Sequence, residues 1–420
     1  MKPTILEVRW PRNDYSRVPY SLYHDRALYE LEQERIFKGP VWNYVALEAE
    51  IPKPGDFRTC MIGETPVIVN RAKDGSIHAM VNRCAHRGAL VRRETHGNAR
   101  EHVCIYHKWC YALDGGLIGV PFRRGLRGQG GMPAEFNPAE HGLQRLRVES
   151  YRGVIFASFR QELEPLTDYL GPVITRHIDR LFAKPVRILG YQRQRIFGNW
   201  KFYPENTRDT YHGSLLHEFQ STFGLSRITQ TGGVTMDDRH RHNLTWSKVG
   251  TDDDAEFSAL YKDNKVHESQ LRLEEPGLVR FHREFGDGYS LAICSIFPNF
   301  TLHQISNSLG ARQIRTLGPG EFELVFTLFG YQDDSEDMIR HRLAQANFVG
   351  PAGLVSMEDG EAIEITHRAS AAERDACSVI EMGGGGEIRS LEHRVNDVPV
   401  RGFWSYYAEL MGIEPEGAVR

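Results

Sequence analysis

The 420-residue sequence has no apolar stretch long enough to span a bilayer, which argues against a membrane protein. Its first residues, Met1 to Trp10, lack the apolar core of a secretion signal, so a cytoplasmic protein is expected. Basic residues are in slight deficit. The formal charge of -4 supplies no basic face, and nucleic acid is not expected as a partner. Six cysteines are too sparse for a disulfide framework in a chain of this length. In a reducing compartment, clustered Cys and His point instead to metal binding or catalysis. No internal repeat is present. No Gly-X-Gly-X-X-Gly follows a strand-like run, so the chain does not bind a dinucleotide by that motif. Gly128-Gln-Gly-Gly131 lacks the Lys-Ser/Thr of a phosphate loop and reads as a plain loop.

What is present divides into two textures. Residues 1–24 look irregular, and Asp25 to Lys38 reads as a short amphipathic helix. From Trp42 to Phe159, short runs of Val, Ile and aromatics alternate with turns such as Pro52-Lys-Pro-Gly55, Lys73-Asp-Gly75 and Leu113-Asp-Gly-Gly116. That is the pattern of a small all-β domain. Beyond Pro165 the pattern is mixed, with helices expected at 167–181, 199–219, 334–348 and 400–411. Strands are expected at 188–195, 289–297, 300–305 and 322–331. The fold class is therefore α+β. The expected parts are an N-terminal helical segment (1–40) belonging to the second domain, a β domain (41–160), and a larger domain (161–420) with an antiparallel sheet covered by helices.

Two constellations carry chemistry. In the β domain, Cys84-Ala-His86 and Cys104-Ile-Tyr-His107 form two arms, each with one thiolate and one imidazole. Two cysteines for one iron and two histidines for the other is the ligand set of a Rieske [2Fe–2S] cluster. Zinc sites more often pair Cys with Cys and His with His. Arg87-Gly88 and Trp109 are placed to shape the cluster's surroundings. Cys60, Cys294 and Cys377 read as ordinary buried small residues, and Cys110 lies on neither arm.

In the second domain, Asp209, His212 and His217 fall within nine residues. Asp209 and His212 would share a helical face. His212 and His217 would stand about 140° apart on a regular helix, so joint chelation requires the helix to widen or break, which Gly213 permits. Two imidazoles and a carboxylate from elsewhere would form the facial triad of a mononuclear iron(II) centre. Glu358, Asp359 and Glu361 are all candidates for that carboxylate.

The two arms, together with Glu205-Asn206-X-X-Asp209-X-X-His212-X4-His217, resemble the α subunits of Rieske non-haem iron aromatic-ring hydroxylating oxygenases. The resemblance extends to Gly-Pro-Ala-Gly at 350–353, Glu358-Asp-Gly, and Val400-Arg-Gly-Phe-Trp. It is strongest toward salicylate hydroxylases, anthranilate dioxygenases and terephthalate dioxygenases. It implies that Cys84, His86, Cys104 and His107 hold the cluster and that His212, His217 and Asp359 hold iron(II). It places Asn206 beside the iron and makes Asp209 a bridge to a cluster histidine of a neighbouring subunit. The implied assembly is a trimer, possibly α3β3 with a small β subunit, fed from NAD(P)H through a separate ferredoxin or reductase. The implied reaction is O2-dependent dihydroxylation of an aromatic carboxylic acid, with monohydroxylation as the alternative.

An aromatic acid calls for an apolar slot and a cation, and arginine's planar fork suits a carboxylate. Arg312 is the first candidate and Arg401 the second. His303, Gln304 and Asn307 are further candidates to face the ring, but strand alternation alone does not say which side is inward. A zinc-stabilised binding protein and a pure electron carrier are the competing classes. The first would be colourless, and the second would need only the β domain.

Overall fold

The computed structural model describes residues 8, 10–262 and 271–415. Contacts divide the chain into two compact units, Phe37–Leu166 and a second made of Met1–Ile36 with Thr167–Arg420.

In the first unit a seven-stranded antiparallel sheet runs in the order Asn43–Leu47, Val154–Ser158, Arg145–Tyr151, Ile77–Val81, Thr65–Arg71, Asp56–Ile62, His96–Asn98. A small sheet of His102–Val103, Cys110–Tyr111 and Leu117–Gly119 completes it. Phe57, Ile68, Met80, Trp109 and Tyr111 pack with Cys84 and Cys104 in one buried cluster. The thiols thus end in an apolar setting.

The second unit is built on another seven-stranded antiparallel sheet, ordered Val186–Ile196, Glu321–Tyr331, Ser308–Gly318, Phe300–Ile305, Leu291–Ile296, His242–Ser247, Gly232–Met236. Helix Glu336–Val349 packs on Ser308–Gly318, Leu354–Ser370 on Val186–Ile196, and Phe202–Arg208 on Leu291–Ile296. Helix Val398–Met411 packs on Phe202–Arg208. This is the α+β architecture expected, an antiparallel sheet covered by helices. Among the described residues no helix is long and apolar enough to cross a membrane.

Several local expectations need correction. The helix over 199–219 is interrupted. Phe202–Arg208 ends at Asp209, whose ψ of 115° leaves the helical region, and only a short 3-10 turn (His212–Ser214) and Glu218–Thr222 follow. The Asp209 side chain accounts for the break: its Oδ1 accepts the N–H groups of Tyr211 (3.1 Å) and His212 (3.2 Å) in place of helical carbonyls. Asp25–Lys38 is a helix over Arg26–Glu32 that widens to π turns at Gln33–Phe37. The 167–181 helix breaks at Gly171 (φ 67°), just before Pro172. The irregular start contains a strand, Arg17–Pro19, paired with Cys377–Val379, while residues 1–7 and 9 lie outside the described residues. Cys377 is half-buried there, not buried.

Helix Leu354–Ser370 was not anticipated. Its start is set by Gly353, where any Cβ would overlap the carbonyl oxygens of Asn347 and Phe348. The chain can turn so sharply between two helices only with glycine at that point.

The N-terminal segment is fastened to this unit by a wholly buried polar hub. Glu32 accepts from Lys201 Nζ (2.6 Å), Trp200 Nε1 (2.7 Å) and Tyr407 OH (2.6 Å). Removing one partner of a buried ion pair strands the other charge. Lys201→Met is therefore expected to destabilise this unit by about 3–5 kcal/mol, read as a lowered calorimetric transition with the cluster absorbance unchanged.

Candidate active site

The two arms of the first unit close by the same local rule. The Cys84 N–H donates to the Ala89 carbonyl (2.8 Å), and the Gly88 N–H donates back to Cys84 (2.9 Å). The Cys104 N–H donates to Trp109 (2.9 Å), and Lys108 donates back to Cys104 (3.0 Å). The fourth residue after each cysteine has positive φ, 76° at Gly88 and 58° at Lys108. The arms are thus matched loops with the same local closure.

The His86 and His107 rings stand 4.5 Å apart at 78°, and Trp109 stacks on His86 at 4.9 Å. Both Nδ1 atoms are buried without a hydrogen-bond partner. Tyr111 OH accepts from the Ala85 N–H (3.0 Å) and shares a hydrogen bond with Cys84 Sγ (3.1 Å). Burial, followed by the neighbouring Cys84 thiol, raises Cys104 above its ordinary pKa. Two imidazole nitrogens without partners and two adjacent buried thiols, carried by matched loops, fit a cluster with mixed ligands.

In the second unit, ligand atoms of His212, His217 and Asp359 lie within 4.8 Å of one another. Among the described residues they form a group compact enough to hold a single metal ion. Asp359 Oδ1 lies 3.2 Å from His217 Nε2 and 3.5 Å from His212 Nε2. The far nitrogens face outward, His217 Nδ1 donating to Glu358 Oε2 (2.7 Å) and His212 Nδ1 facing Asp209 Oδ2 (3.5 Å). Each outer carboxylate orients an imidazole so that its Nε2 faces inward. Burial opposes protonation of His212, yet the Asp209 and Asp359 carboxylates overcome it and raise that imidazole to about 10. Against burial, the same imidazoles hold Asp359 far below the carboxylate range. The site attracts positive charge, and the donor set suits a divalent iron with positions left open.

Of the three candidate carboxylates, Asp359 alone faces both Nε2 atoms. Glu358 serves His217 from outside, and Glu361 is exposed. Asn206 is beside the triad, its Nδ2 donating to Asp359 Oδ1 (2.9 Å) and 3.4 Å from His212 Nε2. Asp209 opens on a second cavity lined by Tyr20, Tyr23, Glu205, Tyr211 and Asp397. There Glu205 accepts from Tyr23 OH (2.7 Å) and the Trp404 indole, and burial raises it to about 7 against those donors.

The triad's own cavity is lined on the apolar side by Leu291, Ile293, Ile305 and Val355. Arg312 reaches this cavity. Arg401 does not. It is buried in helix Val398–Met411 and donates to the Gly384 carbonyl (2.6 Å), so the second substrate candidate is an internal brace. Strand register settles the faces. His303 pairs with Ile293 and Gly310 on the Arg312 side of the sheet, whereas Gln304 turns away to Arg180 (2.6 Å). Asn307 sits at the hairpin, bonded to the backbone of His282. Sequence reasoning overlooked Arg394, which also lines the cavity and ties to Ser226 (3.1 Å) and the Arg227 carbonyl. No motif surrounds it.

Comparison with known proteins bears on both sites. The Rieske [2Fe-2S] domain model matches residues 41–130, and the ring hydroxylating alpha subunit catalytic domain model matches residues 174–412. The large subunit of anthranilate 1,2-dioxygenase from Burkholderia cepacia is 46% identical, over 97% of this chain and 96% of its own. The terminal oxygenase component subunit alpha 2 of terephthalate 1,2-dioxygenase from a Comamonas species is 44% identical, over 97% and 98%. The large oxygenase component of salicylate 5-hydroxylase from a Ralstonia species is 43% identical, over 96% of both. In fold, the chain matches naphthalene 1,2-dioxygenase from a Rhodococcus species with a TM-score of 0.77 over 94% of each chain, at 23% identity.

Two metal-ligand clusters, one in a β unit and one against an antiparallel sheet, define a two-centre oxygenase. The chain belongs to the ring-hydroxylating oxygenase α subunits. It is an oxidoreductase of the Rieske [2Fe–2S] and mononuclear non-haem iron type, a family in which electrons come from a separate partner. The zinc-stabilised, non-enzymatic reading finds no support, and an electron carrier would not need the matched catalytic domain.

Asp359→Ala is expected to lose mononuclear iron and turnover while the cluster absorbance stays intact. Metal analysis giving full iron occupancy would move the ligand role to another carboxylate.

Proposed function

We propose that this chain is the terminal oxygenase for an aromatic carboxylic acid, acting as a ring dioxygenase. The observation that carries this reading is Arg312, a buried arginine with no carboxylate partner among the described residues, in the same cavity as the His/His/Asp triad. Burying a cation without a counter-ion is costly, and an anionic substrate supplies what the chain omits. Leu291, Ile293 and Ile305 provide an apolar wall for the ring. The named relatives, which act on anthranilate, terephthalate and salicylate, agree with an aromatic acid.

In this reading Cys84, His86, Cys104 and His107 hold the cluster, and His212, His217 and Asp359 hold iron(II). When bound, these groups supply one-electron transfer and dioxygen activation. The chain's side chains do the rest. Glu358 and Asp209 orient the imidazoles, Asn206 steadies Asp359, and Arg312 holds the acid. Asp209 is assigned the link to a cluster histidine of a second copy in a homotrimer, with or without a small β subunit. Its support is the open cavity on its outer side. A ferredoxin or reductase brings electrons from NAD(P)H, and the proposed location is the cytoplasm.

Incubating the enzyme and a matched reductase with a panel of benzoates, with products identified by mass spectrometry, tests the reading. A cis-diol product assigns dioxygenation, and a single added oxygen assigns monohydroxylation. Turnover of neutral arenes alone would sink the aromatic-acid proposal. Arg312→Met should weaken binding of the acid at least about tenfold more than that of its amide, the size of one charge-assisted pair. Equal losses for both would reject the carboxylate role. Asp209→Ala should leave a spectroscopically normal cluster and most of the iron, yet nearly abolish product. A normal single-turnover rate from reduced cluster to iron would remove Asp209 from the electron path.

A further inference from the structure

The side chains that hold Arg312 are all uncharged. Its Nε–H donates to His303 Nδ1 (3.1 Å) and its Nη1 to Tyr203 OH (3.0 Å), with the Phe326 ring 5.1 Å away. The third nitrogen, Nη2, is buried with no partner. Two nitrogens are engaged by the protein, and one is left over.

An aspartate or glutamate is the usual partner of a buried arginine, and either would have oriented the guanidinium equally well. It would also have cancelled its charge. His303 accepts through Nδ1, so its single ring proton is on Nε2 and the ring is neutral. Burial, then the nearby Arg312 charge, depresses its pKa far below the ordinary imidazole value. Tyr203 is likewise kept protonated, burial raising its pKa against the pull of Arg312. Both groups orient the fork without neutralising it.

The imidazole fits because of the residue across the ladder. His303 pairs with Gly310, and a Cβ on Gly310 would overlap the ring at Cε1 and come within 2.9 Å of Nε2. Gly310 is the third residue of strand Ser308–Gly318, already within the ladder, where glycine is otherwise unfavourable.

We propose that His303, supported by Tyr203, is a positioning residue for substrate recognition. It is a neutral acceptor that fixes the Arg312 guanidinium while preserving its charge and its Nη2 for a carboxylate, and Gly310 is the gap that admits it. The inference rests on the reading of Arg312 as the carboxylate-binding residue.

The test compares two nearly isosteric replacements in the full holoenzyme, His303→Gln and His303→Glu, with benzoate and benzamide as calorimetric probes. Gln is a neutral acceptor and should keep benzoate affinity within about threefold of the parent. Glu supplies an internal counter-charge and should weaken benzoate about tenfold or more, leaving benzamide unchanged. Gly310→Ala, which pushes the ring aside, should also weaken benzoate selectively. Should His303→Glu not fold, Gly310→Ala against His303→Gln carries the same comparison, with iron content and cluster absorbance reporting integrity. Equal benzoate affinity in the Gln and Glu variants, or parallel losses for both probes, would overturn the role of His303. Arg312→Met separates the two readings. If it leaves the benzoate-to-benzamide ratio unchanged, the carboxylate reading itself fails. If it collapses that ratio and His303→Glu does not, only the positioning role fails.

Discussion

The constraint on which the catalytic unit depends is uncompensated charge held away from water. Asp359 is buried, and its nearest polar neighbours are two imidazoles and an amide. An ionised carboxylate in such a place must be balanced by a proton or a metal. The raised His212 pKa registers that demand. Arg312 carries the opposite imbalance in the same cavity. The cavity is therefore polarised, cation-seeking at the triad and anion-seeking at the arginine. Much of the surrounding structure holds these two imbalances in register. The helix stops at Asp209, the tight glycine turn launches the helix bearing Asp359, and the sheet face presents His303 and Arg312 side by side.

How much of this was legible in the sequence varied with distance along the chain. The cluster arms were fully legible because each is a closed loop of a few residues whose ligand spacing and hydrogen bonding are local. The helical break after Arg208 was half legible. The five-residue spacing of His212 and His217 demanded a widening or break somewhere. That the Asp209 side chain makes the break by capping the next two N–H groups could be seen only in three dimensions.

Asp359 shows the limit from the other side. Three acidic residues within four positions are chemically interchangeable on paper. The family resemblance selected Asp359, but the physical reason appears only in the buried stripe of helix Leu354–Ser370, with Val355, Ser356, Asp359 and Ile363 inward. Arg312 and Arg401 were likewise indistinguishable by type. One is a cavity residue and the other a brace because of strand register and helix phase, both fixed by contacts between distant segments. Arg394, with no motif around it, had no local signal at all.

The division of the chain has a consequence for its synthesis. The cluster unit is one continuous stretch, Phe37–Leu166, inserted between two pieces of the catalytic unit. All four cluster-arm residues and the sheets around them are available once Leu166 has left the ribosome. The catalytic unit must wait. Glu32 needs Lys201 and Trp200, and then Tyr407, from a helix near the other end of the chain. Trp10 bridges to Pro415 later still. The nascent chain therefore can complete its electron-handling half early, while its oxygen-handling half stays open until Tyr407 and Pro415 have been made. The two halves mature in the order in which electrons later pass through them.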